Sequence, residues 1–161
     1  MSAQVFADLE AQLAVRLFTV SVQDRAAGIA RRAYSNDPHS YPTTVPKPIQ
    51  HDAWSDRVLG QGETFVANSV AEFAPWFFDH AQLDAMGLRA AVNVPVIWQG
   101  QALGTINLLD GEGAFPPDRV AQIKAAIAAR LPDLAQAMQA QLGQTGPHEA
   151  RLARLRQRMV E

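Results

Sequence analysis

The chain has 161 residues, 48% of them apolar, and carries 14 Lys and Arg against 16 Asp and Glu. That length suits one domain with a real core, and the slightly negative balance argues against a nucleic-acid partner, which selects a basic excess. The absence of cysteine excludes a disulfide, a thiolate nucleophile, a thioether-linked cofactor and a cysteine zinc site.

Residues 1–13 carry Asp8 and Glu10 and lack a basic start followed by an apolar run, so they do not read as a signal peptide. No stretch approaches the roughly 20 apolar residues of a membrane span. The expectation is a cytoplasmic protein without a membrane partner. Ser2 is placed to cap a helix whose apolar face is Val5, Phe6, Leu9 and Leu13. Residues 15–22 alternate and are rich in β-branched side chains, which predicts a strand. Residues 27–35 predict a second strand paired with it, with Arg31 and Arg32 near an exposed edge.

Residues 36–49 contain Pro38, Pro42, Pro46 and Pro48, too dense a run for helix or central strand. Long loops inside compact domains are often binding loops. A short helix is predicted over 52–59, then a turn at Gly60 and Gly62 and a short strand over 64–67. Residues 70–86 predict one or two short helices ending at Gly87, with the aromatic cluster Phe73, Trp76, Phe77 and Phe78. Two strands, 89–98 and 102–109, flank Gln99-Gly100. Val120, Ile123, Ile127, Leu131, Leu134, Met138 and Leu142 recur at intervals of three and four, one face of a helix over 118–142 that Pro132 must kink or restart. Residues 143–147 read as a linker and 149–161 as a further amphipathic helix with Leu152, Leu155 and Met159 on one side. Strands and helices do not alternate regularly, so an antiparallel sheet with helices on one face fits better than a doubly wound parallel one.

At residues 88–109, Leu-Arg-Ala-Ala-Val-Asn-Val-Pro-Val-Ile-Trp-Gln-Gly-Gln-Ala-Leu-Gly-Thr-Ile-Asn-Leu-Leu, the chain resembles the GAF family's last hairpin. Tyr34 to Pro42, Lys47-Pro48, Trp54-Ser55, Phe78-Asp79-His80 and Met86-Gly87 look like a bacterial single-domain subgroup of that family. The resemblance spans roughly residues 2–142. It implies an α+β, GAF-like (profilin-like) fold: a central antiparallel sheet, N- and C-terminal helices on one face, and loops and short helices capping a pocket on the other. The expected division is a GAF domain over 1–143 and a linker with an amphipathic helix over 144–161. Within the family, the sulfoxide reductases of free methionine need cysteines, and Ala91, Asn107 and Leu109 stand where their carboxylate ligands would align. Thioether-linked bilin carriers need a cysteine too. The Asn-Lys-x-Phe-Asp-type motif of cyclic-nucleotide GAF domains is missing after Asn107.

The hairpin orients the ligand face. A two-residue turn would pair Asn107 with Val92 and needs φ > 0 at Gln99, which Gln tolerates poorly. A three-residue loop over 98–100 needs φ > 0 only at Gly100. It predicts the pairs Ala91–Asn107 and Asn93–Thr105, with Asn93, Thr105 and Asn107 on the capped side and Val92, Val94, Val96, Ala102, Gly104, Ile106 and Leu108 under helices. The asparagines then either tie down the proline loop or meet a ligand.

Trp54, Trp76, Phe77 and Phe78 cage a ligand or close the domain, the core reading being commoner. Tyr34 and Tyr41 bond a ligand or anchor the proline loop. Lys47 reads as a solvated lysine rather than an anion contact, and Asn68 as a cap for the helix near Val70. Asp79-His80 is a weak acid–base pair, and His80 reads more naturally as structural. His39, His51, His80 and His148 lack zinc spacing. The candidate ligand-binding set is Tyr34, Tyr41, Trp54, Phe78, His80, Asn93, Thr105 and Asn107, with no catalytic or metal residue and no cofactor assigned.

The first functional expectation is a small-molecule sensor without catalysis, acting on a separate signalling protein. Its seam from Val120 to Leu142, with Leu152, Leu155 and Met159, suggests a homodimer through terminal helices. The alternatives are an enzyme using Asp79, His80 and Tyr34 on a small metabolite, and an interaction module with a filled core.

Overall fold

The computed structural model describes residues 3–43 and 45–142. Ser2, the expected cap, and the helix expected over 149–161 lie outside the described residues. Helix α1 (Gln4–Leu13) buries Phe6 and Leu9 and stops at Ala14, whose φ is 53°. Six strands follow: β1 (Leu17–Asp24), β2 (Ile29–Ser35), β3 (Lys47–Pro48), β4 (Phe65–Ala67), β5 (Ala90–Trp98) and β6 (Gln101–Asp110). They form one antiparallel sheet in the order β3-β2-β1-β6-β5-β4.

Between β3 and β4 lie a one-turn helix α2 (Ala53–Ser55) and a π turn over Asp56–Gly60. Between β4 and β5 lie α3 (Val70–Phe73) and α4 (His80–Ala85), ended by Gly87 at φ 77°. The C-terminal seam is two helices, α5 (Pro117–Ala129) and α6 (Leu131–Gln139). The break falls at Arg130, because a ring at Pro132 is tolerated only in a first turn.

The sheet has two chemically different faces. Phe18, Val20 and Val22 of β1, Val92, Val94 and Val96 of β5, and Ile106 and Leu108 of β6 pack beneath α1, α5 and α6. Ile123, Ile127, Leu134 and Met138 are consumed in that core, so most of the apolar seam covers the chain's own sheet. The opposite face carries a smaller core of Leu17, Tyr41, Ala67, Phe73, Leu83, Leu88, Ala91 and Leu109, and beside it an open chamber.

The β5–β6 hairpin departs from the three-residue loop expected from sequence. The turn has two residues, and Gln99 (φ 52°) as well as Gly100 (φ 78°) is left-handed. A bulge at Leu103 then inserts one residue, between the pairs Ile97–Ala102 and Val96–Gly104. Asn93 therefore pairs with Asn107 and Pro95 with Thr105, in place of Asn93 with Thr105 and Ala91 with Asn107. The physical reason is burial. Without the bulge, Ile106 and Leu108 would turn to the chamber and Asn107 would sit under the helices, since a one-residue slip exchanges the two faces. The strained Gln99 costs about 1–2 kcal/mol, less than misplacing two aliphatic side chains at about 1.5–3 kcal/mol each.

Candidate functional site

A cavity of about 200 Å³ opens on the polar face of β1, β5 and β6, roofed by the proline segment, α2 and the aromatic stretch before α4. Its floor is a single hydrogen-bond chain. Trp54 Nε1 donates to Asn93 Oδ1 (3.1 Å), Asn93 Nδ2 to Asn107 Oδ1 (2.8 Å), and Asn107 Nδ2 to Thr19 Oγ1 (3.2 Å) and Ser21 Oγ (3.3 Å). An indole nitrogen only donates, so Trp54 fixes the orientation of both amides in turn. The asparagines thus satisfy one another and tie α2 to the sheet. Trp54 is itself held by a capping box: Asp52 Oδ1 accepts from Ser55 N, and Ser55 Oγ accepts from Asp52 N, each at 2.8 Å.

The walls are aromatic and cationic. Trp76, Phe77 and Phe78 line one side, and Phe78 is 79% exposed at the mouth. Tyr41 donates to Asp79 Oδ2 (2.9 Å), and its ring lies 5.2 Å from the Arg32 guanidinium carbon. Burial and the Asp79 carboxylate both push the Tyr41 phenol well above its ordinary pKa. Arg32 Nη1 donates to Pro42 O (2.8 Å), which fixes the start of the proline segment. Burial lowers the Arg32 pKa, opposed by Tyr41 and Asp79. Lys47 lies 4.7 Å above the Phe78 ring. Its chain remains solvent-exposed, yet crowding by the walls, with help from the Arg32 charge, lowers the pKa of the ammonium.

Of the expected ligand-binding set, Tyr41, Trp54, Phe78, Asn93, Thr105 and Asn107 line this cavity. Tyr34 and His80 do not. A bulge in β1–β2 between Val20 and Ser21 pairs Tyr34 with Val20, so Tyr34 packs on Phe6 and Phe18 beneath α1 and donates to Glu10. His80 opens α4 outside the lining. Asp79, His80 and Tyr34 are therefore not assembled around one chamber. Asn68 is no helix cap either. It accepts from Phe115 N (2.9 Å) and donates to Phe115 O (3.0 Å), clasping the loop before α5, while Ser69 takes the cap position.

Sequence reasoning left Arg32 out of the site and weighed Lys47 as an anion contact but favoured a solvated lysine. Arg31 and Arg32 were expected at an exposed edge, but β3 pairs outside β2 through Ile29–Pro48 and Ala30–Lys47, and the Nε atoms of both arginines are buried. The same pairing carries Lys47 to the mouth of the cavity. The signal was the Pro46-Lys47-Pro48 triplet, whose fixed φ angles favour an extended edge segment. Among the described residues no acidic and histidine cluster fit for a metal occurs, and no helix is long and apolar enough to cross a membrane.

The same architecture recurs in solved structures. The GAF domain/HD domain protein from Geobacter sulfurreducens is 15% identical with a TM-score of 0.69, covering 86% of this chain and 94% of its own. The GAF domain of a two-component sensor histidine kinase from Bacillus halodurans is 11% identical with a TM-score of 0.67, covering 84% of this chain and 95% of its own. The second GAF domain of DevS from Mycobacterium smegmatis is 17% identical with a TM-score of 0.54, covering 98% and 96%. No protein of curated function matches the sequence significantly. The family model for the GAF domain matches residues 4–131, and the chain belongs to the GAF domain family.

Proposed function

We propose that this chain is a regulatory sensor domain that binds a small molecule in the cavity over β1, β5 and β6, and that it performs no catalysis. The observation that carries this reading is the cavity itself, about 200 Å³ with a hydrogen-bonded polar floor and aromatic walls. A chamber of that kind, mostly apolar with a few placed polar groups, is how small-molecule sites are built. Asn93 and Asn107 shape the floor, and Thr19, Ser21, Tyr41 and the aromatic walls meet the ligand. The comparison structures include a domain of a sensor histidine kinase, which supports a signalling role.

Ligand contact would be transmitted in two ways. Tyr41, Val45 and Lys47 of the proline segment line the cavity, so a ligand orders that segment. The floor strands carry the helix core on their other side, so strand movement reaches α1 and α6. Among the described residues, pairing of two copies through terminal helices rests on Leu142, 44% exposed, because the seam from Val120 to Met138 packs on the chain's own core. Size measurement across a concentration range tests that pairing, and cell fractionation tests a cytoplasmic location.

Native mass spectrometry of freshly purified protein tests the central reading. The expected result is a non-covalent small-molecule adduct that disappears on denaturation. Bare protein that also takes up nothing from a metabolite extract would refute it.

A further inference from the structure

The cavity has cations without anions to match. Asp79 is the one carboxylate in its lining among the described residues, and Tyr41 already donates to it. Arg32, opposite Ser21 on β1, and Lys47 face the same chamber, yet the ion pairs among the described residues join Arg57 to Glu63, Arg89 to Asp84 and Arg119 to Asp110. Arg32 Nε is buried and reaches no acceptor among the described residues. A buried donor of that kind is costly unless an acceptor completes it.

The floor has the same polarity. The hydrogen-bond chain starts at a nitrogen that only donates and runs downhill to Thr19 and Ser21. Both hydroxyls spend a lone pair on Asn107, and no hydrogen bond from either to a protein acceptor is found among the described residues. Each keeps its own O–H proton to give. The side chains facing the chamber therefore offer protons and positive charge, and its walls offer aromatic surface.

We propose that the ligand is a small organic carboxylate, with its apolar body against Trp54, Trp76 and Phe77 and its charged end between Arg32 and Lys47. The inference rests on the ligand-binding reading above and adds the ligand's class. A guanidinium whose Nη1 is committed to Pro42 O keeps its Nε–H and Nη2 donors, a fork that matches two carboxylate oxygens. Asp79 on the same wall repels a dianion more than a monoanion, which favours carboxylate over phosphate.

The chain reports on its own occupancy. Its three tryptophans give three indole N–H signals. Trp54 and Trp76 line the cavity, whereas Trp98 packs against the helix-side core and serves as the internal control. The probes are phenylacetate, phenylacetamide and phenyl phosphate, titrated to about 10 mM, a range suited to fragment-sized ligands. Phenylacetate is expected to shift the Trp54 and Trp76 signals, leave Trp98 in place, and bind roughly tenfold more tightly than phenylacetamide. Lys47→Gln, at an exposed position, should keep the fold and weaken phenylacetate about fivefold while leaving phenylacetamide unchanged. Equal affinity for the acid and the amide overturns the carboxylate assignment and leaves ligand binding standing. Preference for phenyl phosphate overturns it in favour of a phosphorylated ligand. No shift with any probe, together with bare protein in the native mass spectrum, overturns both readings.

Discussion

Gly104 is the position where the fold has least room. A Cβ added there would lie 1.8 Å from the Ser21 carbonyl oxygen, 2.8 Å from the Ser21 carbonyl carbon and 2.9 Å from Met138 Cε. The methionine end can swing away, but the carbonyl belongs to β1, which pairs with β6 at Val22–Gly104. Restoring ordinary contact requires the two central strands to separate by about 1.6 Å, well beyond hydrogen-bond tolerance. Overpacking alone costs about 1–3 kcal/mol, and two or three weakened ladder bonds add about 0.5–1.5 kcal/mol each. Gly104→Ala is therefore expected to lose at least about 2 kcal/mol, which for a domain of this size lowers the melting midpoint by at least roughly 4–8 °C. Urea unfolding followed by tryptophan fluorescence measures it. Gly111→Ala is the control, since nothing lies within 4 Å of its added Cβ, and it should stay within about 0.5 kcal/mol of wild type. A Gly104→Ala loss below about 1 kcal/mol would refute the close approach. Because Ser21 also supplies a floor hydroxyl, the variant should weaken ligand binding as well as stability.

A double-mutant cycle of Trp54→Phe and Asn93→Ala should show a coupling of about 1 kcal/mol in urea unfolding; additivity would mean that the indole does not orient the amides. Asn68→Ala removes both bonds to the Phe115 backbone and should cost about 1–3 kcal/mol. Burial and Glu10 raise the Tyr34 pKa from 10.0 to about 12. A raised folded-state value means that stability is intact below the unfolded pKa of about 10 and falls as pH climbs toward 12, because the unfolded tyrosine ionises first. Denaturation midpoints from neutral to alkaline pH should show that decline, and Tyr34→Phe should make it shallower while leaving the part due to Tyr41, which is raised in the same direction; an unchanged slope would remove Tyr34 as a source.

The regular elements were legible because their periods are physical: threes and fours from Val120 to Leu142, and alternation through Val92, Val94 and Val96. The cationic wall was not, because it depends on β3, a two-residue strand inside a proline-dense run whose hydrogen bonding no local pattern announces. The β2 edge beside the arginines looked free because β3, which pairs with Ile29 and Ala30, looked like a loop. The hairpin divides the two cases more finely. Burial of Val92, Val94 and Val96 on one strand and Ile106 and Leu108 on the other fixes only the parity of the register. A three-residue loop and a two-residue turn with one bulge satisfy the same parity, and both put Asn93 and Asn107 on one face. What they exchange is the cross-strand partner. Asn93 opposite Thr105 would leave each amide to find its own acceptor, whereas Asn93 opposite Asn107 lets one indole proton polarise the whole floor. Face is settled by the sum of many burial terms, and local turn chemistry cannot override it. Partner identity turns on a single residue's backbone, here the left-handed Gln99 and the bulge at Leu103. The donor-terminated floor is built from that second kind of information, so its charge preference emerges only once the strands are paired.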